Sequence, residues 1–268
     1  MSVLLHVSDT HFGTEQPAVM EALIGLSQRI RPDLLVLSGD ITQRARPSQF
    51  EAARDFVDRL GAPILVIPGN HDIPLFNVMA RFFWPYSGYR QAFGDDLERV
   101  HSCPQLLVVC VNTTRAHRHK HGEVSAAQIE SVACKLESAS PQQLRVVVVH
   151  QPMAVERAQD AVHLVRGHQA ALQRWAVSGA DVVLGGHIHL PYVKAIQAVP
   201  RSMWAVQAGT AVSKRVRPGV PNSVNVLHWG RTSLTNAPNG SLRIEQWDFD
   251  GIQQVFNCVR LTEVQPTR

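Results

Sequence analysis

Histidines and carboxylates recur in this 268-residue chain in short clusters, each at the end of an apolar run: Asp9-Thr10-His11, Gly39-Asp40, Gly69-Asn70-His71-Asp72, His150 and Gly186-His187-Ile188-His189. Imidazole nitrogen and carboxylate oxygen together suit zinc, iron and manganese. The clusters supply enough ligands for two such ions. Asp40 could bridge them, since each carboxylate oxygen has its own lone pairs, and Asn70 adds a neutral carbonyl oxygen. Two aspartates set two negative charges against at least four positive ones, so the loaded cluster stays positive and attracts phosphate. Bound water in such a site has its pKa lowered to about 7, which points to metal-dependent hydrolysis.

Each cluster alone has an ordinary structural use. Asp9 could cap a helix, His11 and His150 could be satisfied loop or core histidines, and Gly39-Asp40 could be a strand-ending turn. Their placement gives them common meaning. The runs Val3 to Val7, Leu34 to Leu37, Ile64 to Ile67, Leu106 to Val111, Val146 to Val149 and Val182 to Leu184 are short and rich in valine, isoleucine and leucine, as strands buried on both faces are. Asp9 and His11 follow the first, Asp40 the second, Asn70 the third, His150 the fifth and His187 and His189 the sixth. Open α/β sheets bind ligands at the carboxyl ends of their strands, where several loops converge.

Helices are predicted between these strands at Ala18 to Ile30, at Ser48 to Leu60 with Ser48 as N-cap, at Ser125 to Leu136 with Ser125 as N-cap, and at His168 to Val177. Tyr192 to Ile196, Met203 to Gln207, Val224 to His228, Leu242 to Phe249 and Ile252 to Val259 read as strands of a second, mixed sheet, with a hairpin turning at Asp250-Gly251. The fold class expected is α/β, a four-layer α-β-β-α sandwich of two mixed β-sheets with helices outside, forming a single domain over residues 1–268.

A formal net charge of +4 without a lysine or arginine block suits a small anionic substrate better than a nucleic-acid track. The four cysteines form no CxxC pair, which argues against a zinc ribbon or a disulfide framework; buried or half-buried thiols are expected. Met-Ser-Val-Leu-Leu-His opens the chain with no basic n-region, and no apolar run approaches a membrane span, so a cytoplasmic location and no membrane partner are expected.

The five motifs, in this order from residue 9 to residue 189, resemble those of the calcineurin-like metallophosphoesterases. Size and layout are similar to the bacterial class III cyclic-nucleotide phosphodiesterase and glycerophosphodiesterase branch. The resemblance implies that Asp9, His11 and His189 hold a first metal ion, that Asp40 bridges, and that Asn70, His150 and His187 hold a second, the ions being manganese, iron or zinc. It implies attack on phosphorus by a metal-bridging hydroxide. His71 would contact the phosphoryl group or protonate the leaving alkoxide, with Asp72 setting its orientation.

The function expected is hydrolysis of a small phosphodiester, with 3',5'-cyclic AMP the leading substrate, or of a phosphomonoester. A nuclease using the same cluster and a non-catalytic metal-binding interaction module are the alternatives. Substrate contacts are expected from Arg44, Asn112, Arg115 and His121. The histidine-rich loop Arg115 to His121 and the segment Lys214 to Gly219 read first as solvated basic turns, the latter with the rim of the site or a subunit contact as its functional alternative, and Phe82-Phe83-Trp84-Pro85-Tyr86 reads as core packing, with a pocket cap or dimer interface as its alternative. A homodimer is compatible with the sequence. Asn112-Thr113-Thr114 and Gln151-Pro152 depart from the family pattern, at positions near the pocket in the resembling enzymes.

Overall fold

The computed structural model describes residues 1–197, 199–230 and 241–266. Its elements run β1 (Ser2–Val7), α1 (Pro17–Ile30), β2 (Leu34–Leu37), α2 (Pro47–Leu60), β3 (Ile64–Val66), α3 (Val78–Phe83), α4 (Ser87–Phe93), β4 (Val100–Ser102), β5 (Leu106–Cys110), α5 (Ala126–Glu137), β6 (Leu144–Val148), α6 (His168–Val177), β7 (Val182–Gly185), β8 (Tyr192–Ala195), β9 (Trp204–Gln207), β10 (Ser223–Gly230), β11 (Ser241–Asp250) and β12 (Val255–Val264). Short 3-10 turns span Asn70–Asp72 and Ala158–His163.

The strands form two six-stranded sheets, ordered β12-β11-β10-β1-β2-β3 and β4-β5-β6-β7-β9-β8. In the first, β1, β2 and β3 are parallel and β10 to β12 antiparallel; in the second, β5, β6, β7 and β9 are parallel, edged by antiparallel β4 and β8. Both sheets are therefore mixed, but their membership differs from the expectation. The last third of the chain does not build a sheet of its own: β8 and β9 extend the second sheet while β10 pairs with β1 in the first. Periodicity marks a strand, whereas its partner is decided by which sheet edge the connection reaches.

Side-chain alternation explains the layers. On β5, Leu106, Val108 and Cys110 enter the core between the sheets, while Leu107 and Val109 face the cluster that holds Ile129 and Val132 of α5 and Trp175 of α6. On β1, Leu4 points between the sheets and Leu5 and Val7 pack with Leu23 of α1 and Phe50 and Phe56 of α2. The period-2 geometry of a strand makes each run serve two cores, which is why nearly every position is apolar. The result is the expected α-β-β-α sandwich.

Local signals account for the helix starts. Ser125 Oγ accepts from Gln128 N (3.2 Å) and Gln128 Oε1 accepts from Ser125 N (3.0 Å), a reciprocal cap. In α2 the first helical residue is Pro47, whose lost N–H is harmless there, so Arg46 rather than Ser48 is the cap. The final hairpin also differs: its turn extends past Gly251 and leaves Ile252 almost wholly exposed, so β12 begins at Val255. Of the cysteines, Cys110 is buried and Cys103 half-buried, but Cys134 and Cys258 are exposed.

The aromatic segment overturns its expectation except at Tyr86, which packs against the core of the first sheet. Phe82, Phe83 and Trp84 are each more than half exposed, because the six-residue α3 turns Arg81 inward instead. Arg81 donates to the carbonyl oxygens of Pro74 (3.1 Å) and Arg118 (2.7 Å). Among the described residues no helix is long and apolar enough to cross a membrane.

Candidate metal centre

All the motif residues gather where the carboxyl ends of the parallel strands of both sheets meet. Asp9 and His11 follow β1, Asp40 follows β2, Asn70 to Asp72 follow β3, His150 follows β6, and His187 and His189 follow β7. Eight non-glycine residues among those described take a positive φ, and five of them are Asp9 (53°), His11 (42°), Asp40 (49°), His187 (71°) and His189 (54°). Such backbone costs about 1–3 kcal/mol per residue and persists where the surroundings over-determine it, characteristically at functional sites. Here the loops lock one another: Asp9 N donates to Gly39 O (3.0 Å), His11 N to Asp40 O (3.0 Å), Gly186 N to His150 O (2.8 Å), His187 N to Asp9 Oδ2 (2.9 Å) and His71 N to Asp40 Oδ1 (2.8 Å).

Two ligand groups result, each with its ligand atoms within 4.8 Å of one another: Asp9, His11, Asp40 and His189, and Asp40, His150 and His187. Asp40 belongs to both. In the first, His11 Nε2 lies 3.1 Å from His189 Nε2, and Asp9 Oδ1 3.2 Å from His189 Nε2. In the second, Asp40 Oδ1 lies 3.2 Å from His150 Nε2. Asp9 Oδ1, Asn70 Oδ1, His150 Nε2 and His187 Nδ1 are buried and have no aligned hydrogen-bond partner. Buried polar atoms left unpaired are costly. Two nitrogen-and-oxygen sets, sharing one carboxylate and lined with orphaned lone pairs, fit a pair of first-row transition-metal or zinc ions.

The outer ring nitrogens are held as ligand histidines require. His150 Nδ1 meets Ser38 O (2.8 Å) and His189 Nδ1 meets Arg215 O (2.5 Å), which places a proton on each Nδ1 and aims Nε2 into the ligand groups. For His187 the roles reverse: Nε2 contacts His163 Nδ1 (3.2 Å) and Nδ1 is the free atom.

Electrostatics among the protein groups follows from this crowding. Burial alone would raise the carboxyls of Asp9 and Asp40, but the imidazoles beside them, His189 for Asp9 and His150 for Asp40, hold both well below the usual range. Burial pushes His11 and His187 down to about 3. It opposes charge on His150 as well, yet adjacent Asp40 outweighs it and brings that histidine up to about 9. Burial, reinforced by the charge of Asp40, raises Asp72 to about 7.

Asp72 does not orient the His71 ring as expected. Its carboxylate accepts from the backbone N–H groups of Ile41 (3.0 Å), Thr42 (2.8 Å) and Gly69 (2.8 Å), tying the second and third ligand loops together. The ring is held by Gln43 O, 3.0 Å from His71 Nδ1, and its Nε2 lies 3.1 Å from Nη1 of Arg215, which lines the same pocket as His71.

Among the expected substrate contacts, Arg44 lines a pocket of about 270 Å³ with Asn70 and His71. Asn112 is buried and its Oδ1 accepts from Thr114 N (3.0 Å) and Thr114 Oγ1 (2.7 Å). Arg115 is spent on its own loop and on the first turn of α5, donating to Asn112 O, Thr114 O and Gln128 Oε1. His121 does not line the pocket; His119 and Lys120 of the same loop do. Sequence reasoning missed His163 and did not single out Arg215 within the segment Lys214 to Gly219. The segment Lys214 to Gly219 is not simply a solvated turn, since Arg215 and Arg217 point inward while Lys214 and Val216 are exposed. Alternation within that basic run is the one signal that could have found Arg215; nothing local marks His163.

A sandwich of this topology with this shared-carboxylate histidine cluster defines the metallophosphoesterases. The family model described as calcineurin-like phosphoesterase matches residues 2–191, and the chain belongs to that family. It is similar to a cAMP/cGMP dual specificity phosphodiesterase of Mycobacterium tuberculosis, 29% identical over 218 residues that cover 75% of this chain and 66% of that protein. A glycerophosphodiester phosphodiesterase of Enterobacter lignolyticus is 40% identical over 83 residues, 26% of this chain and 29% of that one. The match thus spans just under two thirds of the first relative's length and under a third of the second's. In fold it is similar to a dimetal phosphatase from Danio rerio, with a TM-score of 0.68, 12% identity and 99% of each chain covered.

Proposed function

We propose that this chain is a dinuclear metal-dependent phosphoric ester hydrolase acting on small phosphodiesters, with a 3',5'-cyclic nucleotide as first candidate substrate. The observation that carries the reading is Asp40, buried between two ligand groups that it alone shares. Asp9, His11, Asp40 and His189 would hold one ion; Asp40, Asn70, His150 and His187 the other. When bound, such ions supply the charge that polarises the phosphoryl group and a nucleophile available at neutral pH.

The chain's own residues supply position and proton handling. His71, ring fixed by Gln43 O accepting from Nδ1, places Nε2 beside Arg215 in the pocket, where as imidazolium it would donate to a phosphoryl oxygen or give its Nε2 proton to the departing oxygen. Arg44, Lys120 and Arg215 line the same pocket and draw in an anion. The names of the relatives, which are phosphodiesterases of cyclic nucleotides and of glycerophosphodiesters, support the choice of substrate class.

The test is turnover by protein reconstituted with manganese, on bis-p-nitrophenyl phosphate, p-nitrophenyl phosphate, cyclic AMP and glycerophosphodiesters. Metal-dependent hydrolysis is the expected result, and hydrolysis of none of them would count against the reading. His71→Ala should lower kcat about 10²–10⁴-fold with metal content unchanged. Loss of metal in that variant would instead make His71 part of the cage.

A further inference from the structure

Arg215 lies outside the five motifs, on the loop between β9 and β10, yet its backbone is built into the metal centre. Its N–H donates to Ser213 Oγ (3.2 Å), and its carbonyl accepts from Thr210 Oγ1 (2.9 Å) and from Nδ1 of the ligand His189 (2.5 Å). Two residues on, Arg217 makes a two-pronged ion pair with buried Asp160 (2.7 and 3.1 Å), which moors the loop to the 158–163 turn. The same turn carries His163, the partner of His187.

So framed, the guanidinium reaches into the centre. Nη1 lies 3.1 Å from His71 Nε2, 3.1 Å from Gln43 Oε1 and 3.5 Å from His11 Nδ1. Among the described residues no carboxylate pairs with it, and its Nε and Nη2 have no hydrogen-bond partner. A guanidinium carries five N–H donors in a planar fork and is suited to an oxyanion. Asp9 and Asp40 are already committed to the ligand groups. With His11 ligating through Nε2, its Nδ1 carries a proton, so His11 and Arg215 face each other donor to donor. An oxygen anion seated beside the pair, on the pocket side, would accept from both.

The geometry points to Arg215 as a catalytic residue, a guanidinium that takes one oxygen of the substrate's phosphoryl group on the His71 side and stabilises the charge there as the ester bond breaks. In the hydrolysis, water oxygen forms the new P–O bond and the ester P–O bond breaks with its electron pair on the departing oxygen, which gains a proton. Arg215 exchanges no proton; it contributes charge and fork geometry, which a lysine would reproduce only in part. This inference rests on the hydrolase reading above and adds a residue to it.

The experiment compares manganese-loaded wild type, Arg215→Ala and Arg215→Lys by metal analysis, by calorimetric titration with inorganic phosphate, and by kcat/KM on bis-p-nitrophenyl phosphate. Both variants should keep two ions per chain. Arg215→Ala should bind phosphate about tenfold or more weakly and lose about 10²–10³ in kcat/KM, the scale of one donor to a developing oxyanion. Arg215→Lys should fall between, and added guanidinium ion should restore part of the rate of Arg215→Ala. Phosphate affinity and kcat/KM within twofold of wild type would overturn the proposal, as would metal loss that accounts for the whole defect. Should wild type turn over no ester yet bind phosphate in an Arg215-dependent way, the hydrolase reading fails and the anion site stands.

Discussion

At the residue scale, the centre is a set of histidines whose two ring nitrogens have separate duties. His163 is the least conspicuous of these, since it lies outside the lining of the pocket beside His71 and steadies Nε2 of His187. Outer partners of this kind typically change metal affinity by 10–100-fold. His163→Ala should therefore weaken manganese binding by about that factor, read by competition with a chelator, while leaving phosphate affinity of the fully loaded protein near wild type. Unchanged manganese affinity would remove His163 from the centre.

His6 tells a different story about burial. Its Nε2 meets Ser38 Oγ (2.9 Å) and its Nδ1 meets the Asn225 side-chain amide (3.4 Å), a pairing complete for the neutral ring. Burial pushes its pKa down to about 3 from 6.5. Between those values the unfolded chain carries the proton and the folded chain does not, so acidification from 6.5 favours unfolding by about 1.4 kcal/mol per pH unit. Urea midpoints at pH 7.5 and pH 5 should show wild type losing about 2 kcal/mol more than His6→Gln over that interval. Equal losses would place the acid sensitivity elsewhere.

At the element scale, the strand ends are crowded to contact. A Cβ at Gly69 would collide with the backbone N of Asp40, and one at Gly186 with the side chains of Ser8 and Asp9. Neither position has slack, because the colliding atoms belong to the ligand loops themselves. Gly69→Ala should cost about 1–3 kcal/mol of stability and weaken metal binding together, measured by denaturant midpoint and metal content. A variant that loses stability but keeps both ions at wild-type affinity would show the loop to yield without disturbing the ligand group.

The elements also explain what was legible in the sequence. Strands such as β5 and β6 are buried on both faces, so apolar runs disclosed them, and the motif residues at their ends disclosed the centre. By contrast β4 pairs Val100–Ser102 at an edge with exposed ends and carries no apolar run, and α3 and α4 are only six and seven residues long. Sheet membership was hidden as well, since Ser223–Gly230 reads equally as a neighbour of either sheet until it pairs with Ser2–His6. Arg215 was obscured by the solvated look of its basic segment, and the partners of Asp72 are backbone N–H groups of Ile41 and Thr42 on the preceding loop and of Gly69 rather than the adjacent His71 ring.

At the scale of the whole molecule, two parallel-stranded half-sites, β1 to β3 in one sheet and β6 and β7 in the other, bring their candidate ligand loops to one edge of a shared core. Neither sheet alone holds a complete set: His150, His187 and His189 follow strands of one, Asp9, His11, Asp40 and Asn70 follow strands of the other. The sandwich is thus the device that assembles the centre, and Asp40 is where its halves meet. The measurement that tests this most directly is a manganese titration of wild type and Asp40→Ala, following bound metal and hydrolysis of bis-p-nitrophenyl phosphate in the same samples. Activity in wild type should rise to a plateau at two ions per chain, and Asp40→Ala should lose tight metal binding and turnover together. Full activity in Asp40→Ala, or a wild type holding two ions that cleaves no phosphate ester, would contradict it.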